Sequence, residues 1–112
     1  VQKLEQLYAK LPILLTWGAF QYDAKTNVLY VGNDSLSLSE NEGIIMKLLI
    51  NSAPAVVEKE QLFAELWGSS AYVDENILQV NMTRLRKTLD KVGMSHHIKT
   101  VRGIGYQLVG SE

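Results

Sequence analysis

At 112 residues, 46% of them hydrophobic, the chain can bury one modest core, and its lack of cysteine excludes a disulfide framework or a thiolate metal site. No apolar run approaches the ~20 residues of a membrane span, and no signal-peptide pattern opens the chain. The net charge of −1 argues against indiscriminate affinity for nucleic acid, yet the charge is polarised. Five lysines (3, 10, 25, 47 and 59) stand against ten acids before position 84, whereas Arg84, Arg86, Lys87, Lys91, Lys99 and Arg102 face Asp90 alone up to position 102. A basic end on an acidic body has an orientation built in: one end can neutralise phosphates while the other is repelled. A reducing cytoplasm is the expected compartment, and the missing initiator Met points to a fragment or a processed chain.

Leu4, Leu7, Tyr8 and Leu11 make a short helical stripe that Pro12 stops. It is too short to stand alone in water, so residues 1–13 are expected to be a linker, the tail of a preceding domain's last helix, or a docked element, with 14–112 as the folded domain. Four short strands follow at 15–17, 19–22, 28–31 and 35–38, separated by polar turn formers. Gly32-Asn33 between two of them predicts a tight hairpin in a small antiparallel sheet.

Ser39-Glu40-Asn41-Glu42 reads as a capping box, opening a helix that buries Ile45, Leu48 and Leu49 and ends near Asn51. A second helix covers 59–67, with Leu62, Phe63 and Leu66 inward and Gly68 closing it, and 69–73 is a loop. The third helix runs from an Asp74 cap to about Val92, with Gly93 just beyond its end. Leu78, Met82, Leu85, Leu89 and Val92, spaced 4-3-4-3, form its core-facing stripe. A hairpin, 98–101 and 106–109, turns through Arg102-Gly103-Ile104-Gly105.

With Leu78 at zero and about 100° per residue, Asn76, Val80, Thr83, Arg84 and Lys87 lie on the far side of this helix, roughly 140–240° away, with Gln79 and Arg86 flanking. Arg suits guanine edges, Asn and Gln suit adenine, and an apolar group suits the thymine methyl, so this face has the chemistry of base reading. Val80 is either a methyl or sugar contact or an ordinary exposed valine. Gly103 and Gly105 allow positive φ, so the hairpin tip can be tight and project Arg102 and Lys99 toward a minor groove. Trp67 can be partly buried with its indole N–H left for a phosphate. His96 and His97, as neighbours on an extended strand, point to opposite faces and lack a third ligand, so no metal site is expected. The carboxylates sit at helix starts and turns, where capping accounts for them, and no nucleophile–base pair forms, so neither catalysis nor a cofactor is expected.

The runs L-S-x-x-E, E-x-L-F-x-x-L-W-G, V-N-M-T-R-L-R-K-T-L-D and T-V-R-G-I-G-Y together resemble the OmpR/PhoB-type output domain of bacterial response regulators, over about 15–110. The resemblance implies an α+β winged helix-turn-helix: an N-terminal four-stranded antiparallel sheet, three helices and a C-terminal β-hairpin wing. It implies sequence-specific binding of double-stranded DNA at a direct-repeat operator, as a dimer on DNA. RNA polymerase would meet the loop residues Ser69, Ser70, Ala71 and Tyr72. A receiver domain would precede the domain, with a sensor histidine kinase as partner. Carried over by position, Asn76, Gln79, Val80, Asn81, Thr83, Arg84 and Arg86 match base-contacting or nearby phosphate-contacting positions. Thr100 and Arg102 match the wing and Trp67 the phosphate-contacting Trp. The spacing from Asn76 to Asn81 is similar to that of regulators of cell-envelope or antimicrobial-peptide stress. Two positions depart from the family: Gly43, where a bulky aromatic is usual, so that Met46 or the N-terminal segment is expected to fill the space, and Glu58, where Ser or Thr usually caps. The competing expectation is a winged-helix module that docks a protein instead of DNA, which a steep salt dependence of binding separates from the first.

Overall fold

Glycines at two turn positions set the path of the first half of the chain. The computed structural model describes residues 14–68 and 74–110. Gly18 and Gly32 each open a two-residue loop at φ +60° and +61°, backbone that side chains resist. Strand β1 (Leu14–Trp17) therefore folds back onto β2 (Phe20–Asp23), and β3 (Val28–Val31) onto β4 (Asp34–Ser37). Between β2 and β3 the Asp23 carboxylate accepts from the Lys25 and Thr26 amides, at 2.9 and 3.3 Å. The sheet runs β1-β2-β3-β4, all antiparallel, with Trp17 opposite Phe20 and Val31 opposite Asp34. Its inner face buries Phe20, Tyr22, Leu29, Val31 and Leu36.

Helix α1 (Glu40–Ser52) starts at the expected capping box: Ser39 Oγ accepts from the Glu42 amide at 3.2 Å, and Glu42 Oε1 accepts from the Ser39 amide at 2.8 Å. It buries Ile45, Met46, Leu49 and Ile50. Met46 does not fill the space beside Gly43, because it lies in the core, and the N-terminal segment 1–13 lies outside the described residues. Asn27 fills that space, at φ +60° after the β2–β3 turn. Its amide donates to the Leu38 and Ser39 carbonyls at 2.8 and 3.0 Å, and its Oδ1 accepts from the Tyr22 hydroxyl at 2.6 Å. A Cβ on Gly43 would run into Asn27 Oδ1 and come within 2.7 Å of the Tyr22 oxygen.

Helix α2 (Lys59–Trp67) has no side-chain cap at Glu58, as that residue predicts, and ends on Gly68 at φ +79°. Helix α3 (Glu75–Asp90) is capped by Asp74, whose carboxylate accepts from the Asn76 and Ile77 amides. It stops two residues short of Val92, through a turn that places Gly93 at φ +73°. One turn of 3-10 helix, Ser95–His97, leads into the wing strands β6 (Ile98–Val101) and β7 (Gly105–Leu108).

The wing is three-stranded rather than a bare hairpin. A two-residue strand that the sequence does not announce, β5 (Val57–Glu58), pairs with β7 in the order β5-β7-β6. This pairing explains Gly105. Only Gly103, at φ +77°, supplies left-handed backbone to the tip. Gly105 is needed because a Cβ there would strike the Val57 carbonyl and lie 2.9 Å from Glu58 Cα. The core lies between the two sheets and the helices, with Leu78, Met82, Leu85 and Leu89 of α3 fully buried in it. Among the described residues no helix is long and apolar enough to cross a membrane.

Candidate nucleic-acid interface

Helix α3 presents four distinct sides. The first is the buried stripe. Opposite it, Asn76, Gln79, Val80, Thr83, Arg84 and Lys87 line one shallow open groove, so the predicted polar face is a single surface. Val80 is 48% exposed near its centre. Base-reading side chains, two cations and an apolar spot thus share about three helical turns, the length a major groove accepts.

The other two sides face neighbours, and two of the nominated residues, Asn81 and Arg86, lie on them. Asn81 is only 7% exposed. Its Oδ1 accepts from Asn41 Nδ2 of α1 at 3.1 Å and its Nδ2 donates to the Ile77 carbonyl of its own helix at 2.9 Å, so its amide is engaged there and does not join the groove. Arg86 is half-buried on the opposite flank. Its Nη2 donates to the Ile98 carbonyl at 3.1 Å and to Thr100 Oγ1 at 2.8 Å, and its guanidinium lies 5.9 Å from the Tyr106 ring centroid. Arg86 therefore fastens the wing to α3, and Thr100 is its partner as well as an exposed wing residue. The wheel put Arg86 at the edge of the face; the wing strand, far along the chain, decides which way the guanidinium turns.

At the wing, Val101 and Gly105 face each other across a three-residue tip, Arg102-Gly103-Ile104, closed by the Ile104 amide donating to the Val101 carbonyl at 2.9 Å. Arg102 and Lys99 are exposed, and Ile104 is an exposed apolar residue beside Arg102. A cleft between the tip and the start of α3 is lined by Lys59, Glu75, Gln79, Thr100, Arg102 and Tyr106. Lys59 pairs there with Glu75, and that hydrogen bond raises its pKa, keeping it cationic. Its amide also donates to the Ile104 carbonyl at 2.9 Å, tying the tip to α2. Lys59 is a residue that the sequence alone did not nominate. The available signal was a cation at a helix N-terminus, where the dipole disfavours it.

Trp67 ends α2 at 39% exposure, its ring 4.6 Å from that of Phe63, in keeping with partial burial. The loop residues Ser69, Ser70, Ala71 and Tyr72 lie outside the described residues. His96 and His97 do not sit on an extended strand: in the 3-10 turn their rings are 4.2 Å apart. His97 is buried against the edge of Phe20, its Nδ1 bonded to the Val109 carbonyl at 2.8 Å, which accounts for it as a core residue.

Residues 33–108 match the family model described as transcriptional regulatory protein, C terminal. The response regulator protein GraR of Staphylococcus aureus (strain Mu50) is 36% identical over 92 residues, covering 82% of this chain and 41% of GraR. The chain thus spans well under half the length of this curated relative. The C-terminal domain of the nisin resistance regulator NsrR, described as a lantibiotic response regulator, is 38% identical, with a TM-score of 0.72 over 88% of this chain and 99% of that one. The DNA-binding domain of the response regulator AdeR, solved in complex with an intercistronic region, is 25% identical, with a TM-score of 0.73 over 86% and 99% of the two chains.

Proposed function

The chain belongs to the OmpR/PhoB-type family of winged-helix output domains of two-component response regulators, DNA-binding regulatory domains and not enzymes, and from that premise we propose how it reads its DNA. Helix α3 enters a major groove with Asn76, Gln79, Val80, Thr83 and Arg84 toward base edges and Lys87 toward a phosphate. Arg102 enters the adjoining minor groove from the wing tip, where negative potential attracts its guanidinium, and Lys99 and Thr100 meet the backbone beside it. The Trp67 N–H meets a phosphate at the end of α2. Arg86 acts from behind, holding the wing at its angle to α3.

The observation that carries this reading is the single groove-lining surface of six polar, cationic and apolar side chains on α3, set directly opposite a fully buried stripe. The face cannot roll away without exposing Leu78, Met82, Leu85 and Leu89, so its side chains are presented outward.

We further propose that residues 14–112 form the folded output domain, that a receiver domain controlled by a sensor histidine kinase precedes it, and that two copies bind a direct-repeat operator in the cytoplasm. The 69–72 loop is the proposed contact for RNA polymerase. A role in cell-envelope or antimicrobial-peptide stress is supported by the likeness to a nisin resistance regulator. The test is selection of bound duplexes from a random pool, followed by affinity measurements across salt. A convergent repeated motif whose affinity falls steeply with salt supports the proposal. Failure to enrich any sequence, with salt-insensitive capture of a protein partner, favours the protein-docking alternative.

A further inference from the structure

The two flanks of α3 suggest where its reading register is set. Asn81 and Thr88 lie seven residues apart, two turns or about 10 Å along the helix, and within about 20° of each other around it. Both are held by consecutive residues in the first turn of α1. Asn41 Nδ2 donates to Asn81 Oδ1 at 3.1 Å, and Thr88 Oγ1 donates to Glu42 Oε2 at 2.7 Å. Glu42 is the same carboxylate whose other oxygen closes the α1 capping box at 2.8 Å. Asn27 in turn bonds the Leu38 and Ser39 carbonyls that lead into that box. A chain of hydrogen bonds therefore runs from the β2–β3 turn, through the cap of α1, to Thr88 on α3, and Asn41 in the same turn of α1 makes a second, separate tie to Asn81. On the opposite flank Arg86 ties the helix to the wing. The groove-lining face lies between these two sets of ties.

We propose that Asn41, Glu42 and Thr88 are positioning residues for operator recognition: they set the roll of α3, and through it which bases its face selects, without touching DNA. This rests on the DNA-reading role of α3 proposed above. The geometry gives the ties leverage. A helix with its side chains has a radius of about 5–6 Å, so a roll of about 10° moves the reading atoms by about 1 Å. Bidentate base contacts need hydrogen bonds of about 2.7–3.2 Å and degrade over that displacement, whereas phosphate contacts by long cations adapt to it. The buried stripe resists large rotations but is apolar and without direction; the directional contacts on this flank are the two hydrogen bonds. Loss of the ties therefore removes discrimination while leaving non-specific affinity in place.

The experiment uses the whole chain, a duplex carrying the selected motif, its single-base variants, and a random duplex. Thr88→Val keeps the shape and removes the hydroxyl; Asn41→Ala, on the rim of α1, removes the other tie and needs no core rearrangement. The expected result is a loss of about fivefold or more in preference for the motif over its variants, largest in the double substitution. Affinity for the random duplex and its salt slope stay the same, and Thr88→Ser restores the preference. An unchanged preference in folded Thr88→Val and Asn41→Ala overturns the inference. Equal weakening on motif and random duplex also overturns it, because that marks general destabilisation. If the unsubstituted chain selects no sequence at all, the DNA-reading role itself fails, and this inference with it.

Discussion

A methyl group added at Gly43 would collide with an Asn27 side chain that three hydrogen bonds hold in place. Alanine in place of glycine gains up to about 1 kcal/mol of helix propensity, but forcing the fixed amide aside costs about 1–3 kcal/mol, so the collision wins. Gly43→Ala is expected to lower the urea midpoint of unfolding; a raised midpoint would show that Asn27 moves freely. Tyr22, which donates to Asn27, has its pKa raised above 10.0 by burial and then by the nearby Asp23 charge, and burial raises Tyr106 likewise. In the unfolded chain both ionise near 10, while the folded chain still holds their protons. The stability present below that pH is therefore lost as pH climbs past it. Thermal melts should show a falling midpoint above about pH 10, shallower in Tyr106→Phe. A midpoint that rises through that range would contradict the assignment.

At the scale of the elements, α3 is held by burial and aimed by its flanks. Leu85 is fully buried, and Leu85→Ala should cost about 2–5 kcal/mol; a negligible shift of the denaturation midpoint would mean that the helix faces another way. Arg86→Ala should release the wing, raising amide exchange in β6 and weakening DNA binding evenly over sequences. Arg84→Ala should relax preference at one or two positions, with a loss of about 1–3 kcal/mol at the preferred site. If the two variants behave alike, Arg86 reads bases after all. Most elements were legible because their signals are local. Gly32-Asn33 and the Ser39–Glu42 box each announce a boundary within four residues, and the four strands fall within one residue of expectation. What escaped depends on distant partners. Strand β5 is two residues long and exists because β7, some fifty positions later, pairs with it. Gly105 is small for the same reason. The wheel put five of the six groove-lining residues on the outward face and Gln79 at its flank, but could not tell that Asn41 would occupy the Asn81 side, or Thr100 the Arg86 side. Asn27 beside Gly43 was invisible for the same reason.

For the whole molecule, the polarised charge follows the architecture. The cations of 84–102 sit on α3, the turn after it and the wing, and the acids concentrate in the body. The chain should approach DNA basic end first, and with no broad second apolar face among the described residues it should sediment as a monomer without DNA. On a direct repeat, two copies should protect half-sites about one helical turn apart. A tight DNA-free dimer, or protection of one half-site alone, would contradict this arrangement. The most direct test of the central claim is the affinity of the chain for its selected duplex and for a random one, measured across a salt series with Arg84→Ala, Lys87→Ala and Arg102→Ala. Affinity should fall steeply with salt, and Arg84→Ala should erase preference at specific base pairs. Lys87→Ala should flatten the salt slope by about one unit with preference intact, and Arg102→Ala should weaken binding most where the flanking minor groove is narrow. Three folded variants that bind both duplexes as the unsubstituted chain does would contradict the claim.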